Sequence, residues 1–379
     1  MWANRKSISS VVDELSRREP AYCPNPSCSS HLNSQGKFHR RGSRAIGRYP
    51  YLVYRFSCCS CGKNFSSSFF TLAFRDRLND AYEEIFDFHC LGVPKRAIAR
   101  FLNCSEASIR AKISKLARWS LTRLAKDSLR LKITEPVAYD GLENFSFSQY
   151  DPNNLNHVVG KLSFYTYDFN LAPMNRKGRM SQRQKLRKRS LEENHGKYPK
   201  AEIHSSTRRI FSRLCNRSLG FLELHSDNHY AYREVLDRFP QRKKVLHQIT
   251  PAKLARNYRN RLFAINHLDL LTRQKLAAFK RETIAFAKTS VAMLEGFAIF
   301  AAWKNYVRPI FEKPHAADPT IHLDTPAMRV GLEKKPLSFH ELFQERITPK
   351  QACLHEDWAR IFQRIDPLSR RPIRPYAGL

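Results

Sequence analysis

Two kinds of side chain in this sequence are spaced for chemistry. Cys23-Pro24-Asn25-Pro26-Ser27-Cys28 and, about thirty residues on, Cys58-Cys59-Ser60-Cys61 set out thiols as C-x4-C and C-x2-C pairs. A turn of that size presents two thiolates together, and two such turns enclose one tetrahedral ion, most commonly zinc. Cys59 competes with Cys58, but C-x-C spacing suits such a turn less well, so the expected ligands are Cys23, Cys28, Cys58 and Cys61. The second kind is the carboxylate. Asp140 and Asp227 each follow a β-branched or aromatic run, and an acid at a strand end is held where a divalent cation can bridge it to a phosphate oxygen. A third acid is expected from the helical stretch after the last strand. Asp269 is favoured, because Asn266 and Arg273 share its polar helical face. Glu295 is the alternative: it sits among Val291, Ala298, Ile299 and Ala302, and a buried acid must be paired or functional. His225 and His229 flank Asp227; metal or acid–base roles are open to them, but a hydrogen-bonded structural role is favoured.

The elements around these residues follow from turn signals and periodicity. Between the cysteine pairs, 37–48 and 51–56 look like short strands, which with Phe65 and Ser66-Ser67-Ser68 complete a zinc ribbon within 1–75. The period then becomes helical. Ala81, Ile85 and Phe88 mark one helix, ended near Gly92. Pro94 suits the first turn of a second helix, with Ile98, Phe101 and Leu102 apolar. After Asn103-Cys104, Ser105 is the N-cap of a third helix with Ile109, Ile113, Leu116 and Trp119 inward. Arg110, Lys112, Lys115 and Arg118 would then be exposed. A short turn before a basic third helix predicts a helix-turn-helix DNA-binding unit over 76–130.

From 131 to 310 strand patterns appear at 133–139, 157–164, 165–169, 219–224 and 245–249, with a helix near 208–216. They predict a mixed sheet with helices packed on it. A basic insertion, 173–200, interrupts the strands; its stretch from Asn175 to Lys200 carries ten Lys or Arg against two Glu. It includes Arg183, Lys185, Arg187, Lys188 and Arg189, and is expected to be disordered when free and to clamp a DNA backbone. The apolar helix 289–303 reads as core or interface, and the tail 311–379 is assigned no chemistry.

Charge agrees with these motifs. The 379 residues carry 66 Lys and Arg against 34 Asp and Glu, a formal charge of +32, and the usual partner of such an excess is a polyphosphate backbone. With 42% hydrophobic and 12% aromatic residues the chain is not a disordered basic tail. No apolar run is long enough to span a bilayer, and Met1-Trp2-Ala3-Asn4-Arg5-Lys6 lacks the apolar segment of a secretory signal. Five of the nine cysteines lie between Cys23 and Cys61, which suits a metal site better than a secreted disulfide framework. The expectation is a soluble, multidomain α+β protein that handles DNA and has no membrane partner.

In this order the residues resemble the DDE-class transposases of bacterial insertion sequences, above all those of small elements that begin with a zinc ribbon. The likeness rests on the cysteine spacing, on Asp140-Gly141 and Asp227, and on Asn266-His267-Leu268-Asp269 with Arg273. It continues in Phe279-Lys280-Arg281-Glu282-Thr283, in Trp303-Lys304-Asn305-Tyr306 and in Thr325-Pro326-Ala327-Met328. It is patchy over 20–345. The resemblance implies a ribonuclease-H-like catalytic core in which Asp140, Asp227 and Asp269 hold two Mg2+ (or Mn2+) ions for DNA cleavage and strand transfer. Zn2+ would be structural. Arg273 and Arg281, in the region of the third acid, are further candidate DNA contacts. The resemblance also implies double-stranded element ends and target DNA as partners, a homodimer or larger assembly on DNA, and a cytoplasmic, nucleoid-associated bacterial location. Two rivals stand beside it: a degenerate relative that binds DNA without cutting, and a metal-dependent nuclease that cuts without joining.

Overall fold

A computed structural model describes residues 20–32, 36–45, 52–72, 74–76, 81–251, 253–280, 283–311, 323–344 and 346–365. Near the N-terminus, β1 (Phe38–Ala45), β2 (Leu52–Cys58) and β3 (Asn64–Ser66) form an antiparallel sheet in the order β1-β2-β3. β1 is almost wholly exposed, whereas β2 buries Val53, Tyr54 and Phe56. Aromatic rings substitute for an aliphatic core: Phe65 meets Phe38, Phe56 and Phe70 at centroid distances of 5.7, 5.9 and 6.0 Å. Such a small sheet needs a further constraint to stay folded.

Three helices follow: α1 (Tyr82–Cys90), α2 (Lys95–Phe101) and α3 (Glu106–Arg130). Gly92, at φ +82°, takes the left-handed conformation that turns the chain after α1. Ser105 is the N-cap of α3, its Oγ accepting from the Ser108 N–H at 3.1 Å. Ile85, Phe86, Ile98, Ile109, Ile113 and Leu116 are fully buried where the three helices meet.

The larger sheet comprises β4 (Val137–Phe145), β5 (Pro152–Gly160), β6 (Thr166–Pro173), β7 (Leu222–Ser226) and β8 (Val245–Ile249), in the order β6-β5-β4-β7-β8. The pairs β4/β5 and β5/β6 are antiparallel; β4/β7 and β7/β8 are parallel. The helices here are α4 (Gln182–His195), α5 (Glu202–Arg217), α6 (Tyr230–Asp237), α7 (Phe263–Lys275) and α8 (Ser290–Ala302), the last running on as a π-helical turn, Trp303–Val307. One sheet face receives α5, where Tyr139 shares a hydrogen bond with Thr207 (2.8 Å) and packs on Phe211. The other receives α7 and α8, with Phe297 against Phe169 (4.9 Å) and His157 (6.0 Å). Helix α8 is apolar all round and buried, hence core rather than interface. Buried apolar residues from Leu72 to Ile361 make one continuous cluster, so α1 to α3 share a core with the sheet. Among the described residues, no helix is long and apolar enough to cross a membrane.

Two expectations are corrected. Asp140 does not end its strand: β4 runs on to Phe145, with Asp140 paired opposite His157. Gly141 permits this course, because a Cβ there would lie 2.0 Å from Asn154 Nδ2. The basic insertion is not irregular throughout, because α4 fills its middle, started by a capping box between Ser181 and Gln184. The tail, assigned no chemistry, packs on the core. It supplies α9 (Pro326–Arg329), α10 (Phe339–Leu342), α11 (Pro349–Ala352) and α12 (Glu356–Gln363), and Trp358 is buried, its indole N–H donating to the Phe169 carbonyl at 3.0 Å.

Candidate metal centre and acid cluster

The cysteine turns converge. Cys23 Sγ lies 3.6 Å from Cys61 Sγ and Cys28 Sγ 3.7 Å from Cys58 Sγ, and all four sulfurs fall within 4.8 Å of one another. Four thiolates about 2.3 Å from a tetrahedral zinc stand roughly 3.8 Å apart, so the donor set fits that ion and leaves no open position. The Gly62 N–H donates to the Cys58 carbonyl at 2.9 Å, closing the second turn, and Gly62 takes φ +70°. Burial works against ionising Cys58, but the N–H groups of Cys61 and Ser60 prevail and bring its thiol down to about 6. Cys59 is exposed and outside the cluster.

The acids are assembled by the large sheet. β4 pairs with β7 through Val137↔Leu224 and Ala138↔His225, and carrying that register forward brings Asp227 level with Asp140. Asp269 comes from α7, its Oδ1 2.8 Å from Nε2 of the fully buried His157. This is an ion-pair contact, off the line of a straight hydrogen bond. Burial pushes the Asp140 carboxyl up to about 7, and the charges of Asp269 and Asp227 add to the shift. The three carboxylates thus share one electrostatic neighbourhood. Their oxygens are not drawn together as the four sulfurs are: among the described residues, the cysteines form the one group of possible metal ligands within 4.8 Å. A set of carboxylates is the donor chemistry that suits a hard divalent cation such as Mg2+ or Mn2+.

His157 is the residue that sequence reasoning missed. Its Nδ1–H donates to the Leu155 carbonyl at 2.9 Å, which turns Nε2 toward Asp269. Burial opposes a charge on this ring, yet the carboxylates of Asp269 and Asp140 raise its pKa above the ordinary value. The strand pairing that sets it opposite Asp140 is the signal that could have found it.

Glu295 lies elsewhere. It accepts a hydrogen bond from Ser114 on α3, and Arg364 Nε approaches to 3.2 Å. Phe297, two residues along and about 200° around α8, is the one that meets His157. Glu295 therefore faces away from Asp140, and an acid on an apolar stripe is here a paired structural one. His225 and His229 also have structural partners. His225 Nε2 lies 2.7 Å from Glu223, and His229 caps α6, its Nδ1 accepting from the Ala231 N–H at 3.3 Å. Burial lowers both of their pKa values.

The cations expected on α3 divide. Arg110 is exposed beside Glu106. Lys112, expected outside, is buried 2.6 Å from Asp76 and 4.3 Å from the Tyr82 ring centroid. Lys115 donates to the Phe74 carbonyl at 2.7 Å, and Arg118 is half-buried near the Phe362 ring. Residues around 74–76 lie against this helix face, a long-range contact invisible to helical periodicity. On α4, Arg183, Lys185, Arg187 and Arg189 are exposed, while Lys188 pairs with Glu192 at 3.6 Å. Arg273 is half-buried on α7, and Arg281 lies outside the described residues. Compared with known protein families and with curated proteins, the chain matches none.

Proposed function

We propose that this chain is a metal-dependent DNA strand-cleaving and strand-joining enzyme, a transposase of the DDE class. The observation that carries the reading is the acid cluster: Asp140 in the central strand and Asp227 after its parallel neighbour, with Asp269 on a following helix, in a chain of charge +32. The β6-β5-β4-β7-β8 order supports the ribonuclease-H-like reading of the core. Asp140, Asp227 and Asp269 would hold Mg2+ or Mn2+, which when bound supplies Lewis acidity and a lowered water or hydroxyl pKa at a phosphodiester. Zn2+ at Cys23, Cys28, Cys58 and Cys61 would be structural. His157 orients Asp269, and Gly141 lets β4 continue so that Asp140 stays fixed within the strand, paired with β5.

DNA is the partner that the charge supports. The turn between α2 and α3, with Arg110 exposed in the second turn of α3, supports a helix-turn-helix docked by the start of that helix. Element ends and target duplex, paired by a homodimer or larger assembly, complete the proposal.

The test is a supercoiled plasmid carrying the gene with its native flanking DNA, incubated with purified protein and Mg2+ or Mn2+. New ends at the element borders, joined to new DNA and absent with Asp227→Asn, are expected. Cuts without joints would make it a nuclease, and border binding without cuts a DNA-binding relic. Asp269→Asn should abolish cutting. Glu295→Ala should cut normally while melting earlier, because the buried acceptor for Ser114 is lost, about 1–3 kcal/mol.

A further inference from the structure

From 238 to 268 the chain has eight Lys or Arg and no Asp or Glu. Within this stretch, the loop between β8 and α7 exposes Lys253, Leu254, Arg256, Tyr258 and Arg259, with Tyr258 71% and Leu254 54% accessible. A solvated cationic loop has no need of a large aromatic at its tip. This tip is also built: Asn257 Oδ1 accepts from the Arg259 N–H at 3.1 Å, and Asn260 Nδ2 donates to the Ala255 carbonyl at 2.8 Å. Asn260 Oδ1 accepts from the Leu262 N–H at 2.8 Å, joining the loop to the start of α7. Arg259 Nε donates to the Tyr258 hydroxyl at 3.0 Å, and its guanidinium lies 5.4 Å from the ring centroid. The ring is thus held outward among cations.

The loop's position gives this a purpose. The Thr250 N–H donates to the Ser226 carbonyl at 2.9 Å, so the chain leaves the sheet beside the residue that precedes Asp227. The loop then leads into α7, which carries Asp269. It therefore connects the surroundings of two of the three acids.

We propose that loop 253–261 is a single-stranded DNA binding surface at the rim of the acid cluster, with Tyr258 stacking on an unpaired base and Arg256 and Arg259 contacting flanking phosphates. Phosphate contacts alone would serve a duplex; an exposed ring between arginines adds a platform that every unpaired base can use. The inference deepens the strand-cleavage reading and rests on it for the meaning of the site, but its test is independent of cleavage.

The zinc-loaded full chain, without added Mg2+ or Mn2+, is titrated against a fluorescent poly-thymidine oligonucleotide and against a labelled duplex of equal length. Tyr258→Ala should weaken single-strand binding by about tenfold, Tyr258→Phe should retain it, and duplex affinity should move less than about twofold. Arg256→Ala and Arg259→Ala should each flatten the salt dependence of single-strand binding by roughly 0.7 in log–log slope. Unchanged single-strand affinity in Tyr258→Ala, or equal losses on single strand and duplex, overturns the proposal; matching melting curves would confirm that the exposed substitution leaves the fold intact. If the wild-type chain cleaves plasmid but Tyr258→Ala binds single strands normally, the loop assignment alone fails. If single-strand binding depends on Tyr258 but no cleavage occurs, the cleavage reading alone fails.

Discussion

Asp140 sits in surroundings that oppose its charge. Burial and two neighbouring acids raise its carboxyl from 3.8 to about 7. Between those values the folded chain keeps a proton that the unfolded chain has released. The associated stability is present at low pH and is lost as pH rises through that window. Asp140→Asn should flatten this dependence, so that at pH 8 without divalent metal the variant melts above the wild type. Added Mg2+ should raise the wild-type melting temperature and leave the variant's nearly unmoved. Calorimetry across pH decides this, and a variant that melts lower at pH 8 would refute the electrostatic account. At the cysteine site, Cys58→Ser should lose the zinc and unfold the small sheet, while Cys59→Ser should retain one zinc per chain by metal analysis. The cysteines were legible because C-x4-C and C-x2-C turns are local. His157 was not, since only the pairing of β5 with β4 sets it opposite Asp140, and one residue of slip would send it to the other face. Asp269 and Glu295 could be ranked but not separated from sequence, because nothing local says what each helix face meets.

Elements were legible in proportion to how locally they are determined. β8 runs from Val245 to Ile249 as its apolar pattern predicts, and Ser105 caps α3 where an N-cap was expected. α3 ends near where its pattern predicts, but its packing against α8, a partner almost two hundred residues away, is written in nothing local. The same limit hid the burial of Lys112 and the docking of the tail. Helix α12 has an evident apolar stripe through Trp358 and Ile361, but the surface that receives it is formed by α3 and α8 together with β6 and α5. Asp357 of α12 bonds Arg213 (2.9 Å), Arg209 (3.0 Å) and Asn170 (3.1 Å), so a helix outside the central region completes the sheet's polar layer. Trp358→Ala should therefore destabilise the large core by about 3–5 kcal/mol, read from denaturant melts. An effect below about 1 kcal/mol would mean that α12 merely rests on the surface.

At the scale of the whole molecule, the charge of +32 implies that the proposed DNA association is sensitive to salt. Duplex affinity should fall by orders of magnitude between about 50 and about 200 mM salt, as counterions released from many phosphates are paid back. A flat titration would mean that the charge serves something other than a nucleic-acid backbone.

Two described segments far apart in the chain also touch. The Tyr22 hydroxyl donates to the Arg346 carbonyl at 2.8 Å, Arg346 donates to the Phe69 carbonyl at 3.1 Å, and Lys350 reaches the Pro26 carbonyl at 3.4 Å. During synthesis at about 5–20 residues per second, the 324 residues between Tyr22 and Arg346 take roughly 15–65 s to follow. Through that interval the cysteine module lacks this seat and rests on its aromatic packing and on the metal its four thiols can hold. A ribosome that stops before codon 346 therefore releases a chain whose thiol cluster lacks these contacts, and with zinc as the ion held there, its supply during translation would become a condition of correct assembly.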